Sequence, residues 1–534
     1  MNKIEAIKRD RDGLDIREMI AHYAKAGWET IPEDDIQRLK WYGLFFRNPT
    51  PGFFMIRVRI PGGRTASYQM RALAEIASTY GNGLLDLTTR QQVQLRHIRI
   101  NDVPAVFAKM DDVGLTSLQT GMDNIRNIMT CPVAGLSPDE ILDATLVVAA
   151  LTQEILDNRA YTNLPRKFNL AITGCPDNCV HLETQDLALV PAYQELGHDK
   201  AFGFNVLVGG KLGSGGYRIA SALDIFVTPG EVLDVCRAII FLYRDFGPRE
   251  SRNAARLAFL LDDWGEAHFR QEIEARLGKP LKLAGIDARK MSMKDHVGIY
   301  RQKQPGLNYV GLKVTVGRIK ADDLQNVAAL AERYGTGEIR LSPAQSLIIP
   351  NVADRKVGDL CEERLVSQFA YNPSPIYKGL VSCVGNDYCN LAVIETKSRA
   401  VETAQALAAT LGDAIKPITM HWSGCPAGCG SHLVADIGML GKKTKIDGNI
   451  VDAVDIYVGG RTGPHPKLAV KIMEDVPCDK LPAVLEGLIP YHTRERMHRA
   501  RGNEPKKSLI KPEAENRSAP SSSAPLSSLG LLPT

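Results

Sequence analysis

An internal duplication constrains this chain more than any other feature. Tyr80-Gly81-Asn82-Gly83, followed by LLDLTTRQQVQL, recurs 254 residues later as Tyr334-Gly335-Thr336-Gly337 and EIRLSPAQSLII. Gly174-Cys175-Pro176 with Cys179 matches Gly424-Cys425-Pro426 with Cys429, and FNVLVGG, ending at Gly210, matches VDIYVGG, ending at Gly460; both pairs lie 250 residues apart. Solenoid units run about 20 to 50 residues, so this period is too long for a solenoid. Two copies of one module predict halves about a pseudo-two-fold axis. A site between them would draw on both.

Within each half the pattern is mixed. RTASYQMRALAEIASTYG and KADDLQNVAALAERYG carry apolar residues at helical spacing and stop at Gly. LLDLTTRQQVQLRHI, EIRLSPAQSLIIP and MIRVRIPGG alternate and read as strands. The fold class is therefore α+β, a mixed α/β architecture. The last stretch, from Gly502, is rich in Ser, Pro and Ala without periodicity and is expected to be a disordered tail.

Composition excludes several classes. Net charge is +4 over 534 residues, which gives no basic footprint for nucleic acid. The N-terminus lacks an apolar signal core, and the longest apolar candidate, Leu146 to Leu151, is far too short to span a bilayer. A cytoplasmic enzyme is expected, its ten cysteines reduced and available as ligands rather than disulfides.

Seven of those cysteines fall in equivalent regions. The second half has Cys383 and Cys389 spaced C-x5-C, then Cys425 and Cys429 spaced C-x3-C, all on Gly- and Pro-rich loops. Zinc sites favour C-x2–4-C pairs, which the first arm misses. Core cysteines rarely sit in Gly-Cys-Pro, and a [4Fe-4S] cluster takes four Cys. The first half keeps Cys131, Cys175 and Cys179 but has Ser137 opposite Cys389, so a second cluster is not expected there.

These cysteines, the TTRQ-x2-Q-x-R strand and the LPRKFN loop together resemble the sirohaem-containing nitrite and sulfite reductase family, from about Lys40 to Tyr491. The resemblance implies an N-terminal extension (1–40), a ferredoxin-like half-domain (41–118), a sirohaem and substrate half (119–295), a second ferredoxin-like half-domain (296–370), a cluster and sirohaem half (371–501) and the tail (502–534). It also implies one sirohaem and one [4Fe-4S] cluster, the latter on Cys383, Cys389, Cys425 and Cys429, with Cys429 bridging to the haem iron. Sirohaem carries eight carboxylates, and its implied cradle is Arg90, Gln94, Arg96, Arg166, Arg256, Gln345 and Arg461; the planar Arg fork suits carboxylates. Arg90 and Arg96 are expected on one strand face.

By the same resemblance, Arg57, Arg126, Lys167 and Asn169 meet the substrate. Alternation puts Lys167 and Asn169 on one face of their strand and Arg166 on the other. Arg57 and Arg59 point the same way, and the family alone chooses Arg57. A neutral Asn169, where sulfite-directed relatives carry Lys, favours nitrite. Lys211 to Tyr217, KLGSGGY, is glycine-rich without the nucleotide fingerprint and reads as a loop near the haem. Electrons should then arrive singly from ferredoxin or flavodoxin, steered by a basic patch. The expectation is a monomer without nucleic acid or membrane insertion, acting in nitrate assimilation. Its rivals are a sulfite reductase of the same fold and a non-catalytic iron–sulfur carrier.

Overall fold

A computed structural model describes residues 2–291 and 293–502, so the expected tail from 503 onward lies outside the described residues. Among the described residues the strands build four five-stranded sheets and one small hairpin. Two of these sheets are copies. The first runs in the order Leu44–Phe46, Phe53–Val58, Val93–Arg99, Leu84–Leu87, Arg318–Lys320; the second runs Gly298–Arg301, Leu307–Leu312, Leu347–Ala353, Glu338–Leu341, Arg64–Ala66. Each therefore takes its fifth strand from the other half. Arg318 pairs with Asp86 and Lys320 with Leu84, while Arg64 pairs with Arg340 and Ala66 with Glu338. The repeat is visible as a reciprocal exchange.

The helices Ser67–Tyr80 and Ala321–Tyr334 follow the exchanged strands and pack on each other. Met70, Leu73, Ala74 and Ala77 recur at helical spacing on the buried face, as do Leu324, Val327, Ala328 and Ala331. Both helices feed one continuous core with both sheets. The 1–40 segment joins it: Leu14, Ile16, Ile20 and Tyr23 are core residues.

The stretches read as single strands, 84–98 and 338–350, are each broken by a tight turn. Gln91 and Gln345 hold positive φ, 56° and 57°, at the two turns. Each side chain then crosses to the opposite half. Gln91 donates to Leu341 O at 3.0 Å, and Gln345 donates to Leu87 O at 3.2 Å. Gly63 and Gly317 must lack a Cβ, which would come within 2.4 Å of Leu341 O and 2.7 Å of Leu87 O respectively. The pseudo-two-fold axis passes through these contacts.

The other two sheets carry the cysteine loops. In one, Leu170–Ile172 lies parallel to Leu187–Leu196, which is followed by Asp199–Val208 and Ser221–Val227. In the other, Gly379–Ser382 and Thr419–Ser423 lie parallel and lead to Ile437–Ile446, Asn449–Val458 and Val470–Pro477. The Gly-Cys-Pro loops leave the ends of Leu170–Ile172 and Thr419–Ser423, so the fold places them at equivalent corners. No described helix is long and apolar enough to cross a membrane.

Candidate active site

Phe54, Ile56 and Val58 are buried, so Arg57 emerges on the opposite face of their strand. Its Nη1 donates to Thr120 O at 3.2 Å, and its guanidinium lies 4.6 Å from the Phe45 ring centre. Arg59 is committed to the scaffold, donating to the carbonyls of Leu118, Gln119, Ile125 and Arg126. The sequence leaves these two arginines equivalent. The structure leaves Arg57 the free donors.

Arg126 donates to Thr120 O and Met122 O. The backbone of Arg126 and that of Phe168 are hydrogen-bonded, which lays the LPRKFN loop alongside. Phe168 is buried against Tyr243, and Arg166 reaches towards Asp123 at 3.9 Å. Lys167 feels Arg256, the Cys429 thiol, Arg126 and Arg166 itself, and residues 165–167 are bend and loop, so no strand alternation divides Lys167 from Arg166. Burial, reinforced by Arg256, pushes the Lys167 ammonium down to about 7. The Asn169 backbone N–H donates to Asp186 at 2.7 Å.

The cradle residues divide into two groups. Arg90 lies in the turn before Val93–Arg99, so it does not share a strand face with Arg96; it donates to Gln185 and to Asn127 O. Arg166 and Arg256 stand near it, and Arg256 forks onto Asp186 at 2.7 and 2.6 Å. Arg96 is held by Asp86 at 2.6 Å, by Gln94 at 2.5 Å, and over the Tyr388 ring. Both donors of the Gln345 amide go to backbone carbonyls, Leu87 and Ser382, so Gln345 fastens the halves instead of reaching a ligand. Arg461 is exposed at the rim, donating to His465 O.

Around this space the positive charge exceeds the negative. Arg57, Arg90, Arg126, Arg166, Lys167, Arg252 and Arg256 face two buried carboxylates, Asp123 and Asp186. Burial and then Arg57, Arg166 and Arg90 drive Arg126 well below its ordinary range. Four buried donors have no acceptor: the Nε of Arg90, Arg126 and Arg166, and Nη1 of Arg256. Desolvated cations with orphaned N–H groups fit a ligand bearing several carboxylates. Sirohaem satisfies that test.

The cysteines of the second half close one side. Cys383, Cys389, Cys425 and Cys429 lie near enough to influence one another, and the Cys383 sulfur accepts from Gly424 N–H at 3.1 Å. Leu391 N–H points at the Cys389 sulfur at 3.4 Å. Burial raises the Cys425 thiol to about 12, so it ionises only against a strong cation such as iron. Cys429 is exposed, faces Arg57 and Lys167, and accepts from Thr89 Oγ1 through its carbonyl at 3.0 Å. Such a nest fits a cluster with one sulfur turned to the cavity. The glycine-rich Lys211–Tyr217 stretch is a hairpin pressed on this nest: a Cβ on Gly213 would lie 2.5 Å from Ala427 O.

Sequence reasoning missed three cations. Lys211 is buried over Phe259 and feels Arg256; it occupies the repeat position of Arg461, which is the signal that could have found it. Lys40 is pushed down to about 8 by burial and by Arg252, Arg166 and Arg126. Arg252 forks onto Asp123 at 2.5 and 2.7 Å. Nothing in the local sequence distinguishes these last two.

A duplicated α+β scaffold with an electropositive cavity against four cysteines defines a class, the redox enzymes that pair an acidic macrocycle with an iron–sulfur cluster. The chain belongs to the nitrite and sulphite reductase family: the family's 4Fe-4S domain matches residues 121–281 and 379–511, and its ferredoxin-like half domain matches 47–113 and 300–364. A ferredoxin–nitrite reductase of Synechococcus elongatus is 44% identical over 92% of this chain and 96% of its own. An assimilatory ferredoxin-dependent nitrite reductase of Haloferax mediterranei is 37% identical over 93% and 89%. The NirA protein structure from Mycobacterium tuberculosis superimposes with a TM-score of 0.87 at 31% identity, covering 92% and 93%.

Proposed function

We propose that this protein reduces nitrite to ammonium with six electrons from reduced ferredoxin, using one sirohaem and one [4Fe-4S] cluster. The observation that carries the reading is the set of four orphaned guanidinium donors in a cavity that Cys429 also faces. Arg90, Arg166 and Arg256, with Lys211 beside them, would hold the macrocycle's carboxylates. Cys383, Cys389, Cys425 and Cys429 would hold the cluster. Bound there, the two groups supply single electrons at the substrate.

The rest is the work of the chain's own side chains. Arg57 and Arg126 capture a small anion and stabilise charge that develops on departing oxygens. Lys167, with an ammonium pKa brought near neutrality, delivers a proton through Nζ and can be recharged from solvent. Asn169 adds a neutral donor where a cation would favour a divalent oxyanion. Asp186 orders this wall, gripping Arg256 and the Asn169 backbone together. The boundaries at 118, 295 and 370 mark changes of role, because exchanged strands tie the segments. Reduced thiol ligands favour a cytoplasmic site of action, as a monomer.

The test is an anaerobic comparison of kcat/KM for nitrite and sulfite, with reduced methyl viologen as donor, on protein whose spectrum shows sirohaem. A strong preference for nitrite with ammonium as product is expected. A preference for sulfite would overturn the role of Asn169 and the name of the substrate.

A further inference from the structure

The first-half cysteines are not a degenerate remnant in the structure. Cys131, Cys175 and Cys179 are buried, at 1%, 0% and 5% exposure, and a fourth side chain joins them from outside the repeat. His296, 1% exposed, places Nε2 3.7 Å from the Cys131 sulfur. Among the described residues, the ligand atoms of Cys131, Cys179 and His296 are the only group of three or more Cys, His, Asp or Glu lying within 4.8 Å of one another. Cys175 touches Cys131 through its thiol but lies outside that group of three. Ser137, the position matching Cys389, turns away and caps Asp139 N–H at 3.3 Å.

We propose that Cys131, Cys179 and His296, already gathered, bind one zinc ion in a closed, structural site, and that Cys175, beside Cys131, completes the set by turning its thiol inward. Three sulfurs and one nitrogen are an ordinary tetrahedral zinc set. With Zn–S at about 2.3 Å and Zn–N at about 2.0 Å, a tetrahedral S···N edge is about 3.5 Å. The observed 3.7 Å fits that edge. A cubane holds its sulfurs farther apart, and the four cysteines of the second half form no such tight group among the described residues. The C-x5-C arm that argues against zinc in the second half is absent here, and Cys175 and Cys179 are a C-x3-C pair within zinc-site spacing.

The surroundings are built for a ligand. Tyr309 Oη meets His296 Nδ1 at 3.1 Å, which leaves Nε2 for the metal, as the outer partner of a ligating histidine does. His296 itself holds φ at +61°, a costly conformation for a residue with a side chain, and it persists because the backbone is clamped. A Cβ on Gly311 would lie 1.8 Å from His296 O. Three thiolates around Zn2+ leave one negative charge, and binding releases three thiol protons. Arg340, also buried, feels Cys131 and donates to the carbonyls of Pro132 and Ala134 just beyond it, so a cation stands ready beside the site. The ion would join the first cysteine loops to the second ferredoxin-like sheet.

The test uses holoenzyme from zinc-replete cells, dialysed against EDTA, with metals counted by mass spectrometry. One zinc and five irons per chain are expected, with a zinc-edge absorption spectrum showing three sulfurs at about 2.3 Å and one nitrogen at about 2.0 Å. Cys131→Ser and His296→Gln should each lower zinc at least tenfold while iron and the haem spectrum stay at wild-type levels. If neither variant folds, the wild-type count and edge spectrum decide. Wild-type protein with less than about a fifth of an equivalent of zinc, an iron count near nine, or a zinc edge without sulfur would each overturn the proposal.

Discussion

The two cysteine corners began as copies and now differ in exposure. In the first, all three thiols are sealed in the core, with Cys131 and Cys179 beside an imidazole. In the second, three cysteines are half-buried and Cys429 is exposed towards the arginine-lined cavity. The backbone is nearly the same at both, down to residues of positive φ at His181 and Ser431. What changed is what fills the space. Divergence of a duplicated scaffold can therefore turn one corner into a closed brace and keep the other as an open electron port.

The largest effect should come from treating the corners alike. Cys429→Ser should abolish nitrite turnover, whereas Cys131→Ser should keep it within a few-fold at 25 °C; equal losses in a methyl viologen assay would break the contrast. Lys167→Ala should lower kcat/KM for nitrite by about 10^2 to 10^4 with sirohaem absorbance retained. The charged form is the acid, so activity falls as pH rises through the Lys167 pKa. That pKa is about 7 in the protein alone, and carboxylates bound nearby raise it. The basic limb should therefore lie at or above pH 7 and vanish in Lys167→Arg.

A third test concerns stability. Burial of Asp86 is outweighed by Lys397, Arg96 and Arg318, which hold its carboxyl far below the ordinary range. It contributes stability above an ordinary carboxylate pKa, and that contribution survives until strongly acid pH. Asp86→Asn strands three cations and should cost about 3 to 5 kcal/mol in denaturant unfolding. The smallest effect belongs to the symmetric pair. Gln91→Ala and Gln345→Ala should each cost about 1 to 3 kcal/mol, and by similar amounts, because each leaves equivalent carbonyls unpaired.

Much of this was legible in the sequence. Three landmarks at nearly one offset announced the pseudo-two-fold axis, whereas the alternation expected around Lys167 has no strand to carry it, because the strand starts only at Leu170. Other features left no local trace. Arg64–Ala66 and Arg318–Lys320 are three residues long, too short to show a period, so their exchange was invisible. Arg90 was misplaced because Gln91 breaks what reads as one alternating run. His296 could not be found from the repeat, since its partners lie more than a hundred residues upstream. Arg57 and Arg59 differ only in which carbonyls lie within reach.

The exchanged strands also set a clock for synthesis. The first ferredoxin-like sheet lacks its outer strand until residue 320 has left the ribosome, and Arg64–Ala66 waits for a partner 270 residues further along the nascent chain. Closing so long a loop adds little entropy compared with a shorter one, yet it delays the moment of closure. For a large part of translation the N-terminal portion carries an open sheet edge, a template for wrong pairing. Arg64, exposed on the other waiting strand, is the kind of residue that keeps an unpaired edge unattractive to strangers.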